Sequence, residues 1–178
     1  KIARLLGRKW IIAAVARALK PGCKADDVLV LTGGQGTKKS SGLKILAGGD
    51  YFSDDPLQIG DKDGVLKMAY CWMYEFGELD SIRGTRLTKV KQFLSQSVDH
   101  IRRPYDRCIA PIPRHCVFAG TTNEEQFLSD PTGDRRWWVV SVGKTGDHEW
   151  LKQKRESLLA WAVCKFKEGA LWYLTEEE

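Results

Sequence analysis

The sequence predicts an α/β fold, a mainly parallel sheet with helices on both faces. Short apolar runs rich in β-branched residues alternate with stretches of helical periodicity, which is the pattern of strand–helix–strand units. The first such run, VLVL, leads at once into a glycine cluster and then into a helical stretch. The chain has 178 residues, 43% hydrophobic and 29% charged, which is enough for one packed core.

The elements follow in order. KWIIAAVARALK, Lys9 to Lys20, places apolar residues at helical spacing and stops at Pro21-Gly22. Val28 to Leu31 reads as a buried strand. Lys39 to Leu46 reads as a helix. Gly49 to Asp63, rich in Asp and Gly, reads as a mobile connection. Ala69 to Phe76 is a second buried strand and Arg83 to Ser97 a helix. Val98 to Ile112 alternates and contains Pro104 and Tyr105, so it forms a hairpin or two short strands. Cys116 to Thr121 and Trp137 to Val142 are the third and fourth buried strands. Asp147 to Lys167 is a long helix that ends at Gly169.

Bulk composition excludes several classes. No apolar run approaches the ~18 residues of a membrane span. The start, KIARLLGRKW, lacks the apolar stretch and cleavage site of a signal peptide. Lys1 is not an initiator methionine, so residues 1–178 read as one domain of a longer protein. Cys23, Cys71, Cys108, Cys116 and Cys164 form no CxxC and read as reduced structural thiols of a cytoplasmic protein. His100, His115 and His148 are isolated from any ligand spacing. Trp137, Trp138, Trp161 and Trp172 read as core and interface residues.

The net charge is +5 and unevenly spread. Residues 1–24 hold Lys1, Arg4, Arg8, Lys9, Arg17, Lys20 and Lys24 and no acid. Residues 83–115 are again basic, with only Asp99 and Asp106 against them. Two such zones point to a polyanion partner or to a solvated basic surface. Within the second zone, Lys89, Lys91, Arg102, Arg103 and Arg107 surround Tyr105. Cations can follow a phosphate backbone while an aromatic ring stacks on a base, a sequence-tolerant mode suited to single-stranded DNA. The competing reading is a hairpin that pairs with acids of a neighbouring subunit.

GGQGTKKS, Gly33 to Ser40, fits the phosphate-loop form G-x-x-x-x-G-K-[ST] between a strand and a helix. Gly34, Gln35, Gly36 and Thr37 fill the loop, and Ser41 follows it. Backbone N–H groups and the helix N-terminus surround phosphates in such a loop. Lys39 reaches the β and γ oxygens of ATP, and Ser40 holds Mg²⁺. Lys38 stands where the second glycine belongs. If φ is negative there, its side chain can point outward and the loop survives. A glycine-rich turn without a ligand is the alternative.

Three further stretches fit the same chemistry. Glu75 and Glu78 end an apolar strand, where acids hold Mg²⁺ or orient the attacking water, or are simply solvated. Asn123 ends FAGTTN, where an amide positions that water or caps an ordinary turn. Arg135 and Arg136 follow a turn in DPTGDRRWW and offer an arginine finger or a surface ion pair.

Taken in order, PGCK (Pro21 to Lys24), GGQGTKKSS, YFSD (Tyr51 to Asp54), YEFGELD (Tyr74 to Asp80), VDHIRRPYDR (Val98 to Arg107), FAGTTN, DPTGDRRWW and the final FKEGALWYL resemble the virulence-associated protein E family. These are phage and mobile-element P-loop ATPases similar to superfamily 3 helicases. The resemblance implies a helicase-like P-loop NTPase, a three-layer sandwich. It makes Gly33 to Ser40 Walker A, Glu75 and Glu78 the Walker B acids, and Asn123 the sensor. Arg135 or Arg136 becomes the arginine finger, and Lys89 to Arg107 the DNA-facing segment. It implies an ATP-driven single-stranded-DNA motor working as a homo-oligomeric ring. The rivals are a nucleotide- or DNA-binding scaffold that lost hydrolysis through Lys38, and a small-molecule kinase; the basic segment and the arginine pair argue against the kinase.

Overall fold

The structure is a computed structural model that describes residues 1–56, 62–77, 85–102, 106–123, 135–143 and 146–178. Helix α1 spans Ile2–Leu19, about two turns longer at its start than the periodicity from Lys9 suggests. Basic residues between Ile2 and Lys9 hide the stripe, which begins at Leu6 and continues through Trp10 and Ala14 onto the sheet. Ile12 and Val15 face Ala162 instead, so α1 is buried on two sides. Two of the N-terminal basic residues serve this packing. Arg17 is buried and donates to the carbonyls of Ala25 and Arg114, and Lys9 pairs with Glu178.

Strand β1 (Val28–Thr32) leads through the glycine loop into α2 (Lys39–Ala47). The stretch expected to be a loose connection contributes β2 (Phe52–Ser53) and ends in α3 (Lys62–Met68). Strand β3 is only Met73–Phe76; Ala69 and Tyr70 form the turn after α3. Next come α4 (Thr85–Leu94), β4 (Val98–Ile101), β5 (Ala110–Pro113), β6 (Val117–Thr122), β7 (Trp137–Ser141) and α5 (His148–Lys167). Helix α5 is capped by Asp147, whose carboxylate accepts from the Trp150 N–H at 2.9 Å.

The five strands β2-β3-β6-β1-β7 form one sheet in that order, with every neighbouring pair parallel. Val28 and Val30 point into a core with Tyr74, Phe93 and Phe118 on the α4 face. Leu29 points into the opposite core with Trp10, Leu43 and Leu46. Alternate residues of one strand thus bury against both faces, each contributing roughly 1.5–3 kcal/mol when fully buried. This is the three-layer α/β arrangement the sequence predicts.

The chain runs from the central β1 out to the edge at β2, returns through β3 and β6, and crosses to β7 beyond β1. That reversal makes the carboxyl end of β1 a topological switch point, the place where open α/β sheets bind ligands.

β4 and β5 form a separate antiparallel hairpin, with Val98 opposite Pro113 and Ile101 opposite Ala110. Pro111 and Pro113 lack N–H groups, which keeps β5 an edge that cannot template another strand. The hairpin is tied to α4 by Arg114. Its guanidinium makes a bidentate pair with Asp99 at 2.6 and 2.7 Å, donates to the Phe93 carbonyl, and lies 4.1 Å above the Phe93 ring. Part of the second basic zone is therefore core architecture.

Candidate nucleotide and nucleic-acid sites

The glycine loop is built by close approach. Gly33 has φ +152°, and a Cβ there would stand 2.5 Å from the Val142 carbonyl oxygen. Its N–H donates to Thr122 O, while the Val142 N–H donates to Thr32 O. The loop thus starts clamped between the ends of β6 and β7, and no larger residue fits. Gly36, at φ +83°, gives the loop its second left-handed turn.

Lys38 is the N-cap of α2 and has φ 57°, the one non-glycine residue with positive φ among the described residues. The condition under which lysine would fit there without strain, a negative φ, is therefore not met. The second motif glycine is missing at a backbone position that glycine suits best, and lysine holds it with strain. Its side chain makes no cap bond, so the first N–H groups of α2 are left for a ligand. The side chain lines a cleft between α2 and α5.

Lys39 does point into the loop. Its ammonium lies 2.7 Å from Gly33 O, 3.3 Å from Gly34 O, 3.3 Å from Thr37 Oγ1 and 3.1 Å from Asn123 Oδ1. Ser40 Oγ donates to Glu75 Oε1 at 2.7 Å, and Thr121 Oγ1 donates to the same oxygen at 2.5 Å. Glu75 is 2% exposed, and its other oxygen is buried with no hydrogen-bond partner. A buried carboxylate oxygen without a donor, beside a hydroxyl at a helix start, is a donor set that fits Mg²⁺. Gly34, Gln35, Gly36 and Ser41 are exposed around this centre. Glu78 lies outside the described residues.

Arg135 and Arg136 lie elsewhere. They precede Trp137, which pairs with Val28 at the amino end of β1. The glycine loop leaves the other end of that five-residue strand, roughly 16 Å away. Arg136 pairs with Asp26 at 3.3 Å and donates to Ser95 Oγ at 3.1 Å. Arg135 is exposed. Both line a cleft with Lys24, Asp27, Trp138 and Trp172. Burial, with Asp26 beside it, pushes the Asp27 carboxyl up to about 7. The hairpin root is at this end as well, since the Gly22 N–H donates to Arg114 O next to the α1–β1 turn. Lys89 on α4 and Arg102 and Arg107 near the hairpin tip are exposed, while Lys91 is half-buried. Arg103 and Tyr105 lie outside the described residues.

The model of the virulence-associated protein E-like domain matches residues 1–178. The chain belongs to this family. Three structures of the C-terminal region of NrS-1, all titled apo, are similar to this VapE-like domain. One aligns with a TM-score of 0.62 at 14% identity, covering 89% of this chain and 40% of that one. A second gives 0.56 at 19%, covering 88% and 39%, and a third 0.53 at 20%, covering 94% and 39%. The VapE-like chain thus spans about two-fifths of their length, and at these identities the likeness speaks for the fold. No curated protein sequence matches the chain.

Sequence reasoning missed two supports of this candidate site. Thr121 holds Glu75 from the neighbouring strand, and only its place in FAGTTN hinted at it. Arg155 of α5 donates to the Leu46 and Ala47 carbonyls at 3.0 and 3.2 Å, closing the C-terminus of α2 with a cation. Gly48 ends α2 at φ +93°, which favours glycine, and a Cβ there would also push on that guanidinium at 2.6 Å.

Proposed function

We propose that this VapE-like domain is a helicase-like P-loop ATPase that moves single-stranded DNA during replication of a phage or mobile element. The observation that carries this reading is the convergence of Lys39, Ser40, Glu75 and Asn123 at the carboxyl ends of β1, β3 and β6. In this reading ATP enters with its phosphates over the glycine loop. Lys39 then exchanges the Gly33 and Asn123 oxygens for the β and γ oxygens, which frees the Asn123 amide to orient water. Ser40 and the partnerless Glu75 oxygen hold Mg²⁺, which supplies charge neutralisation on the phosphate oxygens.

The arginines lie at the opposite end of β1 from their own loop, so in this reading they act on the nucleotide of a neighbouring subunit. Arg135 is the finger, and Arg136, held by Asp26 and Ser95, fixes the turn that presents it. Head-to-tail contacts of this kind close into a ring when the rotation allows. The ring gathers Lys89, Lys91, Arg102, Arg103, Tyr105 and Arg107 of each subunit around one strand. ATPase assays with and without oligo-dT test the motor: turnover should rise several-fold with DNA, and turnover indifferent to DNA argues for a scaffold or a kinase.

A further inference from the structure

A surface cleft of about 670 Å³ runs between α2 and the first turns of α5, directly beside the glycine loop. It is lined by Lys38, Ser41, Lys44, Ile45, His148 and Lys152, among others. Its size is within the ~300–1,000 Å³ typical of small-molecule sites. Resting on the nucleotide reading above, we propose that this cleft takes the ribose and base of the nucleoside triphosphate, and that His148 is the side chain lying against the base.

The direction follows from α2. Ser40 turns its hydroxyl to Glu75. Ser41 is the next residue, about 100° further around the helix, and opens into the cleft. A triphosphate whose β and γ groups sit at Lys39 and Ser40 therefore leaves the loop past Ser41. His148 waits on that path. Its Nε2 is 3.8 Å from where a Gly42 Cβ would be, so the ring stands over the first turn of α2. The Asp147 cap fixes the helix start that carries it.

The charges sort in the same way. Lys152 is engaged by Glu149 at 2.7 Å, and Arg155 by the end of α2 and by Glu156. Lys38 and Lys44 have no side-chain partner among the described residues, which leaves two cations for the α-phosphate. The strained lysine at position 38 brings one of them to the junction between loop and cleft. Ile45 is the apolar side chain of this lining, and Gly48 and Gly49 add bare backbone.

The test is a calorimetric titration of the folded domain with Mg²⁺–ATP and with Mg²⁺–tripolyphosphate, which lacks a nucleoside. His148→Ala should weaken ATP about tenfold, the loss expected for one stacked base, and leave tripolyphosphate unchanged. His148→Phe, which keeps a ring, should restore most of the ATP affinity. Equal losses for both ligands, or no loss for ATP, overturns the proposal. If wild type binds neither ligand, the phosphate-loop reading itself falls.

Discussion

Ser40 Oγ donates to Glu75 Oε1 at 2.7 Å and so joins the first turn of α2 to the third strand of the chain. Thr121 holds the same oxygen from β6, and the second carboxylate oxygen is left buried without a donor. Three elements thus converge on one carboxylate, and that carboxylate has one face unused.

Glu75→Gln should keep ATP affinity within a few-fold and lower hydrolysis by ~100-fold or more, because the amide keeps the shape but presents no charge to Mg²⁺. Thr121→Val should lower turnover less, and Thr121→Ser should recover it. Single-turnover hydrolysis with bound nucleotide measured in parallel reads both effects. Full activity in Glu75→Gln would return Glu75 to a structural role.

Lys38→Gly should leave the melting temperature nearly unchanged. Relief of left-handed strain, of order 1–2 kcal/mol, is only partly offset by the roughly 0.5–1 kcal/mol that glycine loses in backbone freedom, so any shift is small and upward. ATP turnover at saturating nucleotide should rise, because the usual close approach of backbone to phosphate returns, while affinity falls with the loss of the Lys38 cation. A drop in turnover at unchanged melting temperature would show that the lysine is an adaptation of this site.

The basic residues divide into two groups that mutate differently. Arg114→Ala strands the buried Asp99 carboxylate and should cost about 3–5 kcal/mol in urea unfolding. Arg102→Ala and Arg107→Ala, both exposed, should leave stability alone. Each should weaken oligo-dT binding and lower its salt slope by up to ~0.7. Unchanged salt dependence in the double variant would remove the hairpin from the DNA site.

The fold was legible where one physical signal dominated. β1, β6 and β7 are short β-branched or aromatic runs that a parallel sheet buries on both faces, and the hairpin followed from alternation around Pro104. The start of α1 was hidden because arginines and lysines interrupt its apolar stripe. β2 and α3 were missed because Asp and Gly around them read as loop. In the candidate site, Lys39 reaches the Gly33 carbonyl and Ser40 reaches Glu75, contacts between residues that the sequence had singled out separately. Thr121 and Arg155 act through contacts between elements distant in sequence, which no local pattern records. The sign of φ at Lys38 was also beyond local pattern, since lysine ordinarily avoids that region.

Subunits carrying Lys39→Ala, mixed with subunits carrying Arg135→Ala and Arg136→Ala, should regain part of the ATPase activity that each lacks alone. Some interfaces then combine an intact lysine with intact arginines from the neighbour. The full-length protein is the material for this mixture. No recovery in mixtures shown to co-assemble would mean that the arginines act in their own subunit or not at all, against their position at the far end of β1.

Nucleotide binding through Lys39 is the centre of the account, and equilibrium titration of a fluorescent ATP analogue tests it most directly. Wild type and Lys39→Ala are compared with Mg²⁺ present, after thermal melting confirms that both are folded. Lys39→Ala should weaken binding at least tenfold, ~1.4 kcal/mol. Equal affinity in the two proteins would contradict the account.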